Sequence, residues 1–187
     1  MRINDIFYSL QGEGVNTGRA AVFVRFAGCN RQCSYCDTDF RRYREMTIGQ
    51  IIDEVTTADH GSRRVILTGG EPAMQVNDKL IDAFHSRGYV IAIETNGSLP
   101  LPDGLDWITV SPKGDTAVKH CNELKCVFTD DKDANDHGIK ADFYCLQPCD
   151  TGDKERNARI TKACVEYIKR HPRWRLSLQT HKLAGFK

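Results

Sequence analysis

The chain has 187 residues, 40% of them hydrophobic, which is enough for one domain with a real core. A formal net charge of +1, from 26 basic and 25 acidic side chains, gives no reason to expect nucleic acid or a membrane surface as partner. No apolar run approaches the ~20 residues of a membrane helix, and Met1-Arg2-Ile3-Asn4-Asp5 lacks the apolar stretch of a secretory signal, so a cytoplasmic place is expected.

Residues 2–8 have strand character and run into the Gly-rich turn Gln11-Gly12-Glu13-Gly14. Residues 20–26, rich in β-branched and aromatic side chains, predict a strand, and a three-cysteine loop follows at once. Residues 47–59 have helical spacing, with Ile48, Ile51, Ile52 and Val55 on one face and Thr47 as N-cap. Residues 64–67 predict a short buried strand closed by Thr68-Gly69-Gly70-Glu71-Pro72. Residues 77–87 predict a helix with Leu80, Ile81 and Phe84 inward. Residues 89–93 predict a strand ending on Glu94-Thr95-Asn96-Gly97, and residues 107–110 one ending on Ser111-Pro112-Lys113. Residues 124–128 and 143–146 predict two more strands, the second ending on Gln147-Pro148-Cys149-Asp150. Residues 154–170 predict a helix and 174–178 a final strand.

Strands alternating with helices imply an α/β fold with a parallel sheet. Polar and Gly-rich clusters recur just past the strands, where sites gather in barrel-like α/β folds. A full eightfold barrel takes about 250 residues, so the expectation is a partial (open) TIM-like barrel of about six mainly parallel strands with few flanking helices. It is expected to form a single domain over residues 1–187.

Eight cysteines are many for such a chain. In a secreted protein they would suggest disulfides, but three crowd into Cys29-Asn30-Arg31-Gln32-Cys33-Ser34-Tyr35-Cys36, and metal ligation explains that crowding better. Iron–sulfur clusters take thiolates from closely spaced runs of this kind. Three ligands serve three irons of a cubane and leave the fourth open for a small molecule. Structural zinc takes four protein ligands, and the nearest fourth candidates, His60, Cys121 or Cys126, are distant in sequence. Cys121, Cys126, Cys145 and Cys164 read as buried thiols acting as small hydrophobes.

The spacing, with Tyr35 just before the last cysteine, resembles the cluster motif of the radical S-adenosylmethionine (SAM) superfamily, and Thr68-Gly69-Gly70-Glu71-Pro72 resembles its Gly-Gly-Glu-Pro strand end. Flanking segments narrow the likeness: Ser9-Leu10-Gln11-Gly12-Glu13-Gly14, Val24-Arg25-Phe26-Ala27-Gly28-Cys29, Tyr35-Cys36-Asp37-Thr38 and Gln179-Thr180-His181-Lys182, with the strand ends already named. Together, from Ile6 to Lys182, they resemble the 7-carboxy-7-deazaguanine synthase family. The resemblance implies a radical SAM core and a lyase that uses a [4Fe-4S] cluster, S-adenosyl-L-methionine and Mg²⁺. The implied reaction turns 6-carboxy-5,6,7,8-tetrahydropterin into 7-carboxy-7-deazaguanine and ammonia. It proceeds by hydrogen abstraction at C6 and ring contraction, in 7-deazapurine (queuosine) biosynthesis. A homodimer and a reductant such as flavodoxin or ferredoxin are implied too.

On this resemblance Cys29, Cys33 and Cys36 hold the cluster, and Tyr35, Gly70, Glu71, Ser111, Pro112, Lys113, Gln147, Pro148, Cys149 and Asp150 bind the cofactor. Glu71 would accept from its methionyl ammonium, and the glycine pair would let backbone approach the ligand closely. Leu10, Gln11, Gly12, Arg25, Thr68, Glu94, His181 and Lys187 would lie against the substrate. Gln11 offers both donors and an acceptor to a pterin edge. Arg25, a lone basic residue inside a strand, suits the substrate carboxylate with two bonds, or an internal salt bridge. Glu94 suits the pterin's amidine-like N–H groups, or solvent. The family pattern assigns Mg²⁺ to Thr38, whereas chemistry alone favours Asp37 or Asp39. The role of Glu13 stays open, and Lys182 reads equally as a solvated neighbour. Two other readings also stay open: a small activase making a glycyl radical on a partner protein, and a non-catalytic zinc or iron–sulfur protein.

Overall fold

The structure, a computed structural model, describes residues 1–36, 38–39, 41–131 and 133–187. The strands are β1 (Arg2–Leu10), β2 (Ala20–Phe26), β3 (Arg44–Glu45), β4 (Arg64–Gly69), β5 (Val90–Thr95), β6 (Trp107–Val110), β7 (His120–Phe128), β8 (Lys140–Pro148) and β9 (Trp174–Leu176). The helices are α1 (Ile48–Ala58), α2 (Asp78–His85), α3 (Lys154–Arg170) and α4 (Thr180–Ala184). The strands form one 9-stranded sheet in the order β3-β1-β2-β4-β5-β6-β7-β8-β9. From β2 through β4 to β9 the strands run parallel, and β1 runs antiparallel to both β2 and β3. The open barrel is therefore wider than the expected size, extended at one edge by an antiparallel pair.

The sheet stays open, with β3 and β9 at its edges. The turn after β1 and the chain after β9 meet instead: Gly14 N donates to Ser177 Oγ at 2.8 Å, and Thr180 N to the Gly12 carbonyl at 2.9 Å. Helix starts follow local side-chain chemistry. Thr47 and Gln50 form a capping box on α1, Asn77 caps α2, and Asp153 caps α3.

Successive side chains on a strand point to opposite faces. On the convex face Val22, Val24, Val65, Leu67, Ile91 and Ile93 pack with Ile51, Ile52, Leu80, Ile81 and Phe84 of α1 and α2. Leu124, Cys126 and Leu146 pack with Ile160 and Cys164 of α3. Cys126, Cys145 and Cys164 are buried and Cys121 is half-buried; burial pushes all four thiols up to about 12. They are inert thiols at neutral pH.

Phe84 is fully buried and meets the Tyr89 ring edge-on, with centroids 5.8 Å apart. Phe84→Ala should cost about 3–5 kcal/mol in urea unfolding, and a loss below about 1 kcal/mol would mean that α2 does not seal the convex core.

Candidate active site

The concave face carries the chemistry. On β2 it reads Ala21, Phe23, Arg25; on β4 Ile66, Thr68; on β5 Ala92, Glu94. Ala21, Phe23, Ile66 and Ala92 close the N-terminal end of the barrel as an apolar plug, packed by Phe7 and Trp107. The polar residues follow at the C-terminal end, where Arg25 pairs with Thr68 in register.

Two adjoining cavities open there. The first, of about 530 Å³, is lined by Cys29, Cys33, Tyr35, Cys36, Gly70, Ser111, Lys113, Gln147, Pro148, Cys149 and Asp150. The second, of about 480 Å³, is lined by Leu10, Gln11, Gly12, Arg25, His181 and Lys187. Glu13, Thr38, Thr68, Gly69 and Glu94 line both and form the wall between them. The residues assigned above to cofactor and to substrate thus separate into two spaces, apart from Thr68 and Glu94 in the shared wall and two cofactor assignments. Glu71 and Pro112 are buried and line neither. The Glu71 carboxylate accepts from Ala73 N, Thr95 Oγ1 and Asn96 N at 3.0, 2.6 and 2.7 Å. Asp37 lies outside the described residues, and the Asp39 carboxylate is engaged by Arg41 at 2.9 Å.

The thiols of Cys29, Cys33 and Cys36 are free on one wall of the first cavity, a soft donor set that fits iron–sulfur ligation. The loop carrying them is clasped by the glycine pair. A Cβ on Gly70 would lie 1.9 Å from the Gly28 carbonyl oxygen, and one on Gly69 would lie 2.3 Å from that of Phe26. On the Cβ side of these glycines the neighbour is the chain itself, and both also line the first cavity. Lys113 lies with its Nζ 5.6 Å from the centre of the Tyr35 ring, and burial lowers its pKa.

In the second cavity Arg25 Nη1 donates to Thr38 Oγ1 at 3.1 Å, and no carboxylate pairs with Arg25 among the described residues. Glu94 is not a surface group: it accepts from Gln11 Nε2 at 2.8 Å and Thr68 Oγ1 at 3.0 Å. His181 packs on Gly12, where a Cβ would lie 2.4 Å from its Nδ1. Lys187 stacks its amine 4.3 Å above the Phe7 ring and pairs with Asp5. Asp150 is held by Lys182 at 2.8 Å and Asn157 at 2.7 Å, and these bonds bring its carboxyl down to about 2.

Lys125 on β7 was not singled out from the sequence. Its Nζ donates to Glu13 Oε2 and lies 3.9 Å from Glu94 Oε1. Gln179 Nε2 donates to the other Glu13 oxygen at 3.0 Å. Burial opposes a charge on Glu13, but Lys125, helped by Gln179 and Gln147, outweighs burial and holds the carboxyl at about 2. Burial would likewise lower Lys125, and Glu13, Glu94 and Glu123 together raise it instead. Glu123, two residues earlier on the same face, has an Oε1 with no partner among the described residues, and burial pushes its carboxyl up.

The sequence model of the Radical SAM superfamily matches residues 23–117, half of the chain, including the three cysteines and the Gly-Gly-Glu-Pro segment. This is a radical SAM enzyme, a class that works with a [4Fe-4S] cluster and S-adenosylmethionine. The 7-carboxy-7-deazaguanine synthase of Bacteroides thetaiotaomicron is 46% identical over 188 residues, covering 100% of this chain and 98% of its own. That of Bradyrhizobium diazoefficiens is 43% identical, covering 99% and 98%. The crystal structure of QueE from Escherichia coli matches with a TM-score of 0.74 at 25% identity, over 96% of this chain and 94% of that one. The chain belongs to the 7-carboxy-7-deazaguanine synthase family, whose members are radical SAM lyases.

The Glu13–Lys125 pair makes a pH prediction. With its folded value near 2 and an ordinary value of 4.5, Glu13 contributes stability that is complete above 4.5 and lost as pH falls toward 2. Lys125→Met strands the carboxylate, at a cost of about 3–5 kcal/mol near neutrality. Burial then raises Glu13, so the variant should lose stability as pH rises through 4.5, opposite to the native trend. Urea unfolding across pH reads this; a Lys125→Met profile parallel to the native one would remove Lys125 as the counterion.

Proposed function

We propose that the chain converts 6-carboxy-5,6,7,8-tetrahydropterin to 7-carboxy-7-deazaguanine with loss of ammonia, on the sites its residues form at the C-terminal end of the barrel. The supporting observation is the pair of adjoining cavities, one walled by three free thiols and the other by a guanidinium with no carboxylate partner among the described residues, with Thr68 and Glu94 between them. The product is the one named for the relatives at 46% and 43% identity.

In this reading Cys29, Cys33 and Cys36 would hold the cluster through their thiolates at the first cavity. When bound, the cluster and S-adenosylmethionine supply an electron and a carbon-centred radical. Tyr35, Gly70, Ser111, Lys113 and the Gln147-Pro148-Cys149-Asp150 segment orient the cofactor. Arg25 binds the substrate carboxylate through two parallel N–H donors. Glu94 and Gln11 meet the pyrimidine edge of the pterin, the carboxylate accepting from its N–H groups and the amide doing either. Lys125 holds Glu13 as an anion, so that it remains an acceptor, and lies 3.9 Å from Glu94 Oε1. Phe7 and Phe23 close the floor against water, and His181 and Lys187 close the side. Thr38, which accepts from Arg25 in this structure, would hold Mg²⁺ through its hydroxyl oxygen, a hard donor of the kind that ion takes.

Residues 1–187 are read as one radical SAM domain, supported by the single continuous sheet. Eight free cysteines suit a reducing, cytoplasmic compartment; no helix among the described residues is long and apolar enough to cross a membrane. A flavodoxin or ferredoxin as electron donor and a homodimeric state follow from the family likeness.

The test is anaerobic incubation of the reconstituted enzyme with S-adenosylmethionine, Mg²⁺, a reductant and 6-carboxytetrahydropterin, with products followed by mass spectrometry. 7-Carboxy-7-deazaguanine is expected, and Arg25→Ala should raise the pterin KM at least about tenfold, the worth of a charge-assisted pair. Cofactor cleavage by the native enzyme without that product would discard the substrate.

A further inference from the structure

We infer that Glu71 is a positioning residue: through Asn96 and Asn30 it fixes the cysteine loop on the side of Cys29, and it does not meet the cofactor itself. The inference rests on the reading of Cys29, Cys33 and Cys36 as cluster ligands.

Glu71 is fully buried, 0% exposed. Its carboxylate is spent inside the protein. Oε1 accepts from Ala73 N and Thr95 Oγ1, and Oε2 accepts from Asn96 N. Thr95 Oγ1 in turn accepts from Gly97 N at 3.0 Å, so its single proton is free for Glu71. Three donors converge on one anion, and each bond is charge-assisted. An ammonium group from outside would have to enter a site with no open face.

The consequence runs through Asn96. Its Oδ1 accepts from Ser98 N at 2.9 Å, a group that can only donate, so the orientation of the amide is set and Nδ2 must face Asn30. Asn96 Nδ2 donates to Asn30 Oδ1 at 3.0 Å, and Asn30 Nδ2 donates to Ser98 Oγ at 2.9 Å. Asn30 directly follows Cys29. The residue before Cys29 is held by the same segment, since Glu71 N donates to the Gly28 carbonyl at 2.9 Å. The first thiol is thereby fixed from both sides, once by the Glu71 backbone and once by its carboxylate through two amides. The Gly69-Gly70-Glu71 segment, at the end of β4, acts as the clasp of the cysteine loop.

The test uses the reconstituted holoenzyme and the variants Glu71→Gln, Asn30→Ala and the double variant. Three quantities are read: the rate of iron release to a chelator, the EPR spectrum of the reduced cluster, and the affinity of fully loaded protein for S-adenosylmethionine. Asn30 is exposed, so Asn30→Ala should leave the unfolding midpoint of the cluster-free protein unchanged. Each single variant should speed iron release about tenfold and alter the EPR spectrum, and the double variant should be no faster than Glu71→Gln, as expected of residues in one network. Cofactor affinity per loaded cluster should stay within about threefold of native, because no cofactor contact is removed. A Glu71→Gln protein with native iron release but cofactor affinity reduced more than about tenfold would overturn the inference, since that is the signature of a lost ammonium contact. If Glu71→Gln does not fold, Asn30→Ala decides alone, and native iron release from it overturns the inference. The ligand reading fails separately: a Cys33→Ala protein that keeps a full four-iron cluster would overturn that reading and this inference with it.

Discussion

The interior of the barrel is organised by one buried cation. Lys125, on β7, is buried beside Glu123 and faces Glu13 and Glu94, which are half-buried in the cavity wall. Two ions taken out of water often gain no more than a hydrophobic pair of the same volume would give. Stability alone therefore does not account for the arrangement. What an apolar filling would not give is a set of hydrogen-bond acceptors at the wall between two cavities, and Glu13 and Glu94 line both. The same pair also spans the open seam of the sheet. Glu13 belongs to the turn after β1, Lys125 to β7, and Gln179, the other partner of Glu13, to the chain after β9.

Strand alternation turns that constraint into two sites. Apolar concave positions fill the N-terminal end, and the polar ones that follow, Arg25, Thr68 and Glu94, fall at neighbouring strand ends. The loops beyond those ends carry the thiols and the glycine pair. Rigid strands thus hold much of the second cavity, while the first is built largely from loops that must themselves be clasped. The close fit of Gly69 and Gly70 against Phe26 and Gly28 does that clasping.

Much of this was legible in the sequence because it is carried by local spacing: the cysteine run, the strand ends, the Thr47 cap and the apolar stripes of α1, α2 and α3. Other features lay beyond local reading. Glu13 and Lys125 are 112 positions apart, and nothing near either one names the other. A signal did exist: with Leu124, Cys126 and Phe128 turned to the helix side, alternation puts Glu123 and Lys125 on the face that holds Arg25 and Glu94. β7 and β8 begin at His120 and Lys140, earlier than their apolar runs, because polar residues occupy their first positions. The two-residue β3 and five-residue α4 are too short to leave a periodic trace. The donors to the Glu71 carboxylate include Thr95 and Asn96, more than twenty positions away, so its surroundings could not be read from the motif that ends the strand.

The central claim is that cofactor and pterin meet across the wall formed by Glu13, Thr38, Thr68, Gly69 and Glu94. The most direct measurement is isotope transfer: the reconstituted enzyme is given pterin deuterated at C6, and 5′-deoxyadenosine and recovered S-adenosylmethionine are examined by mass spectrometry. The account expects deuterium in the 5′ position. Turnover of the cofactor with no deuterium reaching it would contradict the placement of the two ligands in adjoining cavities.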